Sequence, residues 1–386
     1  MDPLSESAYE SVTSALQVPE RHAESLRLVH AGAPSAPELS RAVDEVLPRI
    51  QAAADAYVQR QAATDRTGTD APGDAARLWA SVGDQVGGKL LRPRLAATAY
   101  LGLGGRDTSA IVPVAAAHEL LHTAMLIHDD LIDHDSVRRG RPNVAGTYRA
   151  GEVEGAPAVA ADAAALLGGD LAMWGAVDLV LDANLAPAVQ AFVLRLLVRS
   201  VHTTIRGELL DVLGQYRAPG EVDARTVALL KTAVYSSVLP LVTGAQLAGA
   251  DATTCEQLER YGRAAGVAFQ LVDDMLGTFG DPAVTGKSAL SDLREGKRTE
   301  LVAVAWRRAD AEQSAVLRRH LGDPDLEESG AAAVRAVLHA TGAVDAVAGD
   351  VRALSAEAAA SLTDDLPQGL RVQLGAMLDK LVERAE

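Results

Sequence analysis

The chain has 386 residues, 48% of them hydrophobic, and its 52 acidic side chains exceed its 36 basic ones to leave a formal net charge of -16. That apolar content excludes intrinsic disorder and suffices for one large domain, or at most two. The charge excludes sequence-independent nucleic-acid binding, because so acidic a surface repels a phosphate backbone, and an anionic substrate must then meet local basic clusters. Cys255 is the only cysteine, which rules out a disulfide framework and a cysteine-built zinc site and predicts a reducing compartment. The opening segment, MDPLSESAYESVTSALQVPE, is acidic where a signal peptide would be basic. Apolar runs fall short of the roughly 20 residues of a membrane span, so the expectation is a soluble cytoplasmic protein with no membrane span.

In chain order, residues 1-36 read as an N-terminal tail, partly ordered or helical, and residues 37-386 as a single all-α domain. Helical periodicity runs from Pro37 through Gln61 and breaks in the polar stretch ATDRTGTDAPGD near residues 63-74. It resumes over residues 75-86, 91-103, 109-134, 157-184, 187-217, 224-249, 253-278 and 298-320, with more beyond. Alternating β-branched and aromatic runs are nearly absent. Gly, Pro and charge collect in connectors such as DSVRRGRPN and TFGDPAVTGKSALSDLREGKR, each following an acidic helix.

The helix HELLHTAMLIHDDLIDHD, from His118 to Asp135, carries two metal-site patterns. His118-Glu119-x-x-His122 has the spacing of a zinc protease, with two imidazoles one turn apart and Glu119 as base. A third ligand is missing, because His128 lies about 120° around a continuous helix from His122 and the residue between them, Met125, is a good helix former. Asp129-Asp130-x-x-Asp133 is a set of hard oxygen donors. Asp129 and Asp133 lie one turn apart, with Cβ atoms roughly 5-6 Å from each other, and such a pair destabilises a helix unless positive charge sits between them. That open acidic face suits Mg²⁺, which takes few carboxylates and completes its octahedron with water and phosphate oxygens. The competing reading is a solvated acidic helix end.

A second apolar helix repeats the pattern. FQLVDDMLGTFGD sets Gln270, Asp273 and Asp274 one turn apart among Phe269, Leu271, Val272, Met275 and Leu276, and two such clusters facing across a cavity would share metal ions. Fixed cations accompany them. Lys89 and Arg92, three residues apart, follow a Gly pair in GGKLLRP, Arg138 and Arg139 close the loop after the first acidic motif, Lys231-Thr232 sits inside a helix, and Lys287 and Lys297 follow the second acidic motif.

With these segments in place, the sequence resembles the trans-isoprenyl diphosphate synthase (polyprenyl synthetase) family, most like a geranylgeranyl diphosphate synthase. The resemblance runs from about residue 40 onward through GGKLLRP, ELLHTAMLIHDDLIDHDSVRRGRP, GGDL, KTAVYSSVLPL, FQLVDDMLGTFGD and GKRT. It implies a helical bundle around a central cavity and a Mg²⁺-dependent head-to-tail condensation of isopentenyl diphosphate with an allylic diphosphate, in a homodimer. It also implies that Asp129 and Asp133, supported by Asp130, and Asp273 with Asp274 beside it, hold the metal ions. Lys89, Arg92, His122 and Arg139 resemble the isopentenyl diphosphate pocket. Arg138, Lys231, Thr232, Gln270, Lys287 and Lys297 resemble the clamp on the allylic diphosphate.

Three positions depart from the family's pattern: Leu90 stands where a basic residue is frequent, Gly277 replaces the third aspartate of the second motif, and Glu300 follows Thr299 in place of an apolar residue. Beneath the first motif lie Leu121, Ala124 and Met125, none aromatic, which leaves room for a product longer than farnesyl diphosphate, such as geranylgeranyl diphosphate. Trp174 reads either as a floor to that path from a neighbouring helix or as a large core residue. Two alternatives stay open. A class I terpene cyclase shares the scaffold and metal but has no second substrate for Lys89, Arg92 and His122; a non-catalytic partner subunit of a prenyl synthase would lose its aspartates, and only Gly277 points that way.

Overall fold

The computed structural model describes residues 33-65, 73-152, 158-217, 220-280 and 290-385, and among them the chain is all-α apart from one two-stranded ribbon. Helices α1 (Ala36–Asp65), α2 (Asp74–Gly83), α3 (Leu91–Gly102) and α4 (Thr108–Ile132) come first. The ribbon, β1 (Val137–Arg138) with β2 (Arg141–Pro142), and the single turn α5 (Val144–Thr147) lead into α6 (Ala158–Leu181) and α7 (Pro187–Gly214). The helix α8 (Ala224–Leu247) is π-helical through its centre, Ala228–Val238, and α9 (Ala252–Phe279) follows it. The C-terminal part comprises α10 (Ser291–Glu295), α11 (Glu300–Arg308), α12 (Ala311–His320), α13 (Glu328–Ala340), α14 (Ala343–Ala360) and α15 (Gln368–Ala385).

Short polar residues start several of these helices. Asp107, Asp223 and Asp251 each accept from backbone N–H groups of the first turn, which satisfies donors the helix itself leaves orphaned. The period expected to run unbroken over 298-320 is two helices, because Asp310 and Gln313 form a reciprocal capping box that restarts the chain after Arg308. The ribbon is also additional to the expected helices. Arg139 (φ 52°) and Gly140 (φ 73°) form its two-residue turn, and the register pairs Arg138 with Arg141.

Small residues let the central helices approach closely. Helix α4 packs chiefly along α6, and α8 lies between α7 and α9. A Cβ on Gly207 of α7 would stand 2.2 Å from the backbone nitrogen of Lys231, so glycine there brings α7 against α8. One apolar core spans α1 to α9 and α15, and a second joins the end of α9 to α11, α13 and α14. Residues 1-32 of the expected tail lie outside the described residues.

The expectation that no apolar run matches a membrane span is corrected here. Thr108–Ile132, Ala158–Leu181 and Ala224–Leu247 are each long and apolar enough to cross a membrane. Within their most apolar stretches, 72%, 50% and 83% of the residues are buried inside the protein. An Ala- and Leu-rich core helix is as apolar as a span, and composition alone does not distinguish them. The least covered of the three, α6, exposes Val159, Leu166, Trp174 and Leu181 along one stripe, and the adjoining α7 exposes Val198, Ile205, Leu209 and Leu213. Trp174, 68% exposed, is therefore not the large core residue that was one of the two readings of it, and in this chain it faces outward and not toward the path beneath the first motif.

His118 exemplifies the cost of a polar group in this interior. It is 1% exposed, neither ring nitrogen has a hydrogen-bond partner, and burial pushes its pKa down to about 3. Because the folded pKa lies below the unfolded value, the unfolded chain binds the extra proton, and stability falls as pH drops below about 6.5. Between pH 7 and pH 5 the loss from this group is about 2 kcal/mol. Urea unfolding of the wild type and of His118→Leu at both pH values checks this: the variant's pH dependence should be weaker by that amount.

Candidate active site

Helix α4 carries the site's axis. His118, His122, Asp129 and Asp133 share one face, and α8 runs antiparallel along part of it, so that Tyr235 meets His122 and, one turn earlier, Lys231 meets Asp129. His128 points elsewhere, with Nε2 3.2 Å from the Leu166 carbonyl and 3.5 Å from Asp170. The three-histidine zinc arrangement is thus absent, and among the described residues no group of three His, Cys, Asp or Glu side chains has the geometry of a metal site.

The carboxylates are instead interlaced with cations. Arg138, presented by the ribbon, donates from Nε to both oxygens of Asp130 (2.7 and 2.9 Å) and from Nη2 to Asp129 (3.3 Å). Lys231 Nζ lies 3.2 Å from Asp129, 3.1 Å from Glu208 and 2.7 Å from Asp211. Burial acting alone would lower the Lys231 pKa, but Asp129, Asp211 and Glu208 outweigh it and hold the ammonium well above its ordinary value. Lys297 Nζ bridges Asp133 (2.9 Å), Glu295 (2.8 Å) and Asp292 (3.6 Å). Burial raises Glu208 and Glu295 to about 7, and their lysine partners oppose the shift.

The second acidic motif joins this network through a polar chain. Thr232 Oγ1 donates to Gln270 Oε1 (2.7 Å), and Gln270 Nε2 donates to Asp274 Oδ1 (2.7 Å). Burial, and then Asp292, push the Asp274 carboxyl well above the usual range. Asp273 beside it is exposed. Gly277 makes room for this arrangement, since a Cβ there would stand 2.1 Å from Asp292 Oδ2. The space left by the missing third aspartate is filled by a carboxylate from α10.

A second cationic cluster lies along α4 toward its N-terminus. Arg92, 9% exposed, donates to Ser236 Oγ (2.7 Å) and lies over the Tyr235 ring at 5.3 Å, while the Tyr235 hydroxyl is 3.3 Å from His122 Nδ1. Arg139 packs on Gly88 and reaches the Gln85 carbonyl (3.3 Å). Burial, reinforced by Arg92, Arg139 and Arg138, holds His122 well below its ordinary pKa, so it is a neutral hydrogen-bonding group. Lys89 is exposed at the edge of this cluster, and Leu90, with φ 49°, turns into the apolar core.

Of the anticipated residues, Asp129, Asp130, Asp133, Arg138, Lys231 and Lys297 form one cluster, Thr232, Gln270 and Asp274 an adjoining chain, and Arg92, His122 and Arg139 a second cluster. Lys287 lies outside the described residues. Leu121 and Ala124 are fully buried and Met125 partly so. Glu208, Asp211, Asp292 and Glu295 were not anticipated. The first two were legible as RGELLD, an acid pair at helical spacing on an apolar helix, which is the criterion that found the other two motifs. Glu300, unexplained from sequence, sits in the first turn of α11, where an acid suits the helix dipole, and pairs with Arg307 at 3.3 Å.

Residues 80–338 match the family model described as polyprenyl synthetase. Over 220 residues the chain is 40% identical to a (2E,6E)-farnesyl diphosphate synthase of Mycobacterium tuberculosis; the match covers 57% of this chain and only 56% of that relative's length. A geranylfarnesyl diphosphate synthase of Aeropyrum pernix is 31% identical over 315 residues, covering 78% of this chain and 92% of that one. The crystal structure of a geranylgeranyl pyrophosphate synthase from Corynebacterium glutamicum, complexed with isoprenyl diphosphate and magnesium, superposes with a TM-score of 0.79 at 33% identity, covering 87% of this chain and 97% of that one. By family model, sequence and fold together, the chain belongs to the polyprenyl synthetase family.

Proposed function

We propose that the chain is a prenyltransferase that joins isopentenyl diphosphate head to tail with an allylic diphosphate, yielding a longer linear trans-prenyl diphosphate, geranylgeranyl diphosphate. The observation that carries this reading is the pair of cationic clusters along one helix, only one of which is ion-paired to a group of aspartates. Two diphosphates, of which one is metal-bound, require that asymmetry. Oxygen-only donors suit a hard divalent ion by their chemistry, and Asp129 and Asp133, each here paired with a lysine ammonium, would with Asp273 hold Mg²⁺. When bound, it supplies positive charge at the leaving diphosphate oxygens.

Lys231, Lys297 and Arg138 act on the allylic substrate. As its C–O bond breaks, both electrons leave with the diphosphate, and these fixed cations stabilise the growing charge more than the ground state. The double bond of isopentenyl diphosphate then attacks the allylic carbon, and a proton passes to the departing diphosphate. Arg92, Arg139, Lys89 and neutral His122 hold the other diphosphate, which does not react, and so orient that double bond. Thr232 and Gln270 fix the position of Asp274 and the helix end that bears Asp273. A cyclase would leave the Arg92–Arg139 cluster without a ligand, and a non-catalytic subunit would have no need of the intact first motif.

The exposed apolar stripes on α6 and α7 support a homodimer built on that face. Incubation of the protein with Mg²⁺, isopentenyl diphosphate and dimethylallyl, geranyl or farnesyl diphosphate in turn, with products identified by mass, tests the activity. Product length rests on Met125 and Ala124. Met125→Phe should place a ring in the path of the growing tail and shift the main product to farnesyl diphosphate, and an unchanged product would remove Met125 from the argument.

A further inference from the structure

Glu119, 2% exposed at the centre of α4, takes no part in the scheme above. Its carboxylate accepts the backbone N–H of Gly87 and lies in the field of the Arg92 and Arg139 guanidinium groups, while Oε2 has no hydrogen-bond partner. A buried carboxylate is costly unless a specific set of partners compensates it. Those partners are the parts of the second cationic cluster.

The turn that Glu119 holds is strained. Gly87 (φ 104°), Gly88 (φ 110°) and Leu90 (φ 49°) all have left-handed backbones, and so has Arg139 (φ 52°), which packs on Gly88. A Cβ at Gly88 would lie 3.0 Å from Arg139 Cζ. Such a conformation persists only where its surroundings over-determine it. Arg139 also sits near Arg92 and Arg138, whose charges oppose its own, and Glu119 is the leading counter-charge to that repulsion.

We propose that Glu119 is a positioning residue for non-allylic substrate binding: through Gly87 N–H it fixes the turn bearing Gly88 and Lys89, and through charge it holds Arg92 and Arg139 converged as a preorganised diphosphate receptor. The assignment rests on the prenyltransferase reading. Preorganisation removes the ordering cost at the moment of binding, so loss of Glu119 acts on affinity for one substrate and not on both.

Glu119→Gln keeps an oxygen for Gly87 N–H and removes the charge. Calorimetric titration with isopentenyl diphosphate alone, without metal or allylic substrate, should give a dissociation constant at least fivefold weaker than wild type. In steady state the KM for isopentenyl diphosphate should rise by a similar factor, with the KM for the allylic substrate within twofold, and Glu119→Asp should recover part of the loss. Equal rises in both KM values would assign Glu119 a general structural role and overturn the proposal. Tighter binding by the Gln variant would make Glu119 a competing counter-ion and overturn it equally. If the Gln variant does not fold, the Asp variant carries the same comparison of the two KM values. Wild-type protein that neither binds isopentenyl diphosphate nor forms product would sink the underlying function, whereas a wild-type enzyme with an indifferent Gln variant sinks only this inference.

Discussion

Alanine at position 129 should lower the rate of prenyl diphosphate formation by about 10³-fold, a loss of the size seen when one preorganised electrostatic group is removed from an active site. Asp129 is placed for two tasks at once. It is one of the oxygens proposed for the metal, and it is in contact with both Lys231 and Arg138. Without it, Lys231 keeps Glu208 and Asp211, at 3.1 and 2.7 Å, and is drawn toward α7, away from the leaving group. The defect should lie in kcat more than in the KM for isopentenyl diphosphate, because Arg92 and Arg139 are untouched. Single-turnover kinetics with mass detection, at several Mg²⁺ concentrations, measures this. An unchanged melting temperature would show that the loss is chemical.

The second large effect concerns assembly. On the proposed homodimer, the wild type should run as a dimer and the double variant Trp174→Glu, Leu209→Glu as a monomer in light scattering after size exclusion. Trp174 and Leu209 are 68% and 57% exposed and belong to the stripes of two adjoining helices. Burying two carboxylates without partners at the middle of such an interface costs several kcal/mol, enough to weaken association by about 10³-fold. Neither residue supports the monomer's core, so the variants should remain helical. If the wild type is itself monomeric, the apolar face has some other occupant.

Much of the candidate site was readable because its chemistry depends on residue type and local spacing. The four-residue step from Asp129 to Asp133, the Gln270–Asp273–Asp274 group and the arginines beside glycine turns are helical or loop patterns within a few residues of one another. Several helix starts were readable for the same reason, and one that was overlooked, at Asp310, carried its Gln313 partner in plain view. Membrane-like helices were misjudged because apolar composition records how much surface must be hidden and not what hides it. Trp174 failed for the converse reason, since a large aromatic has equal reason to enter a core or an interface.

Sequence by itself determined the all-α class, the two acidic motifs and the cations that accompany them, since each depends on periodicity and charge within one segment. Only tertiary structure decided which cation meets which carboxylate. Glycine at 207 brings Glu208 and Asp211 to Lys231, glycine at 277 admits Asp292, and the left-handed turn at Gly87–Gly88 gives Glu119 a backbone N–H and Arg139 a surface to pack on. The distinction is physical: hydrophobic period and capping act within a turn or two of helix, whereas a buried charge is stabilised only by partners within a few ångströms, and packing brings those from distant segments.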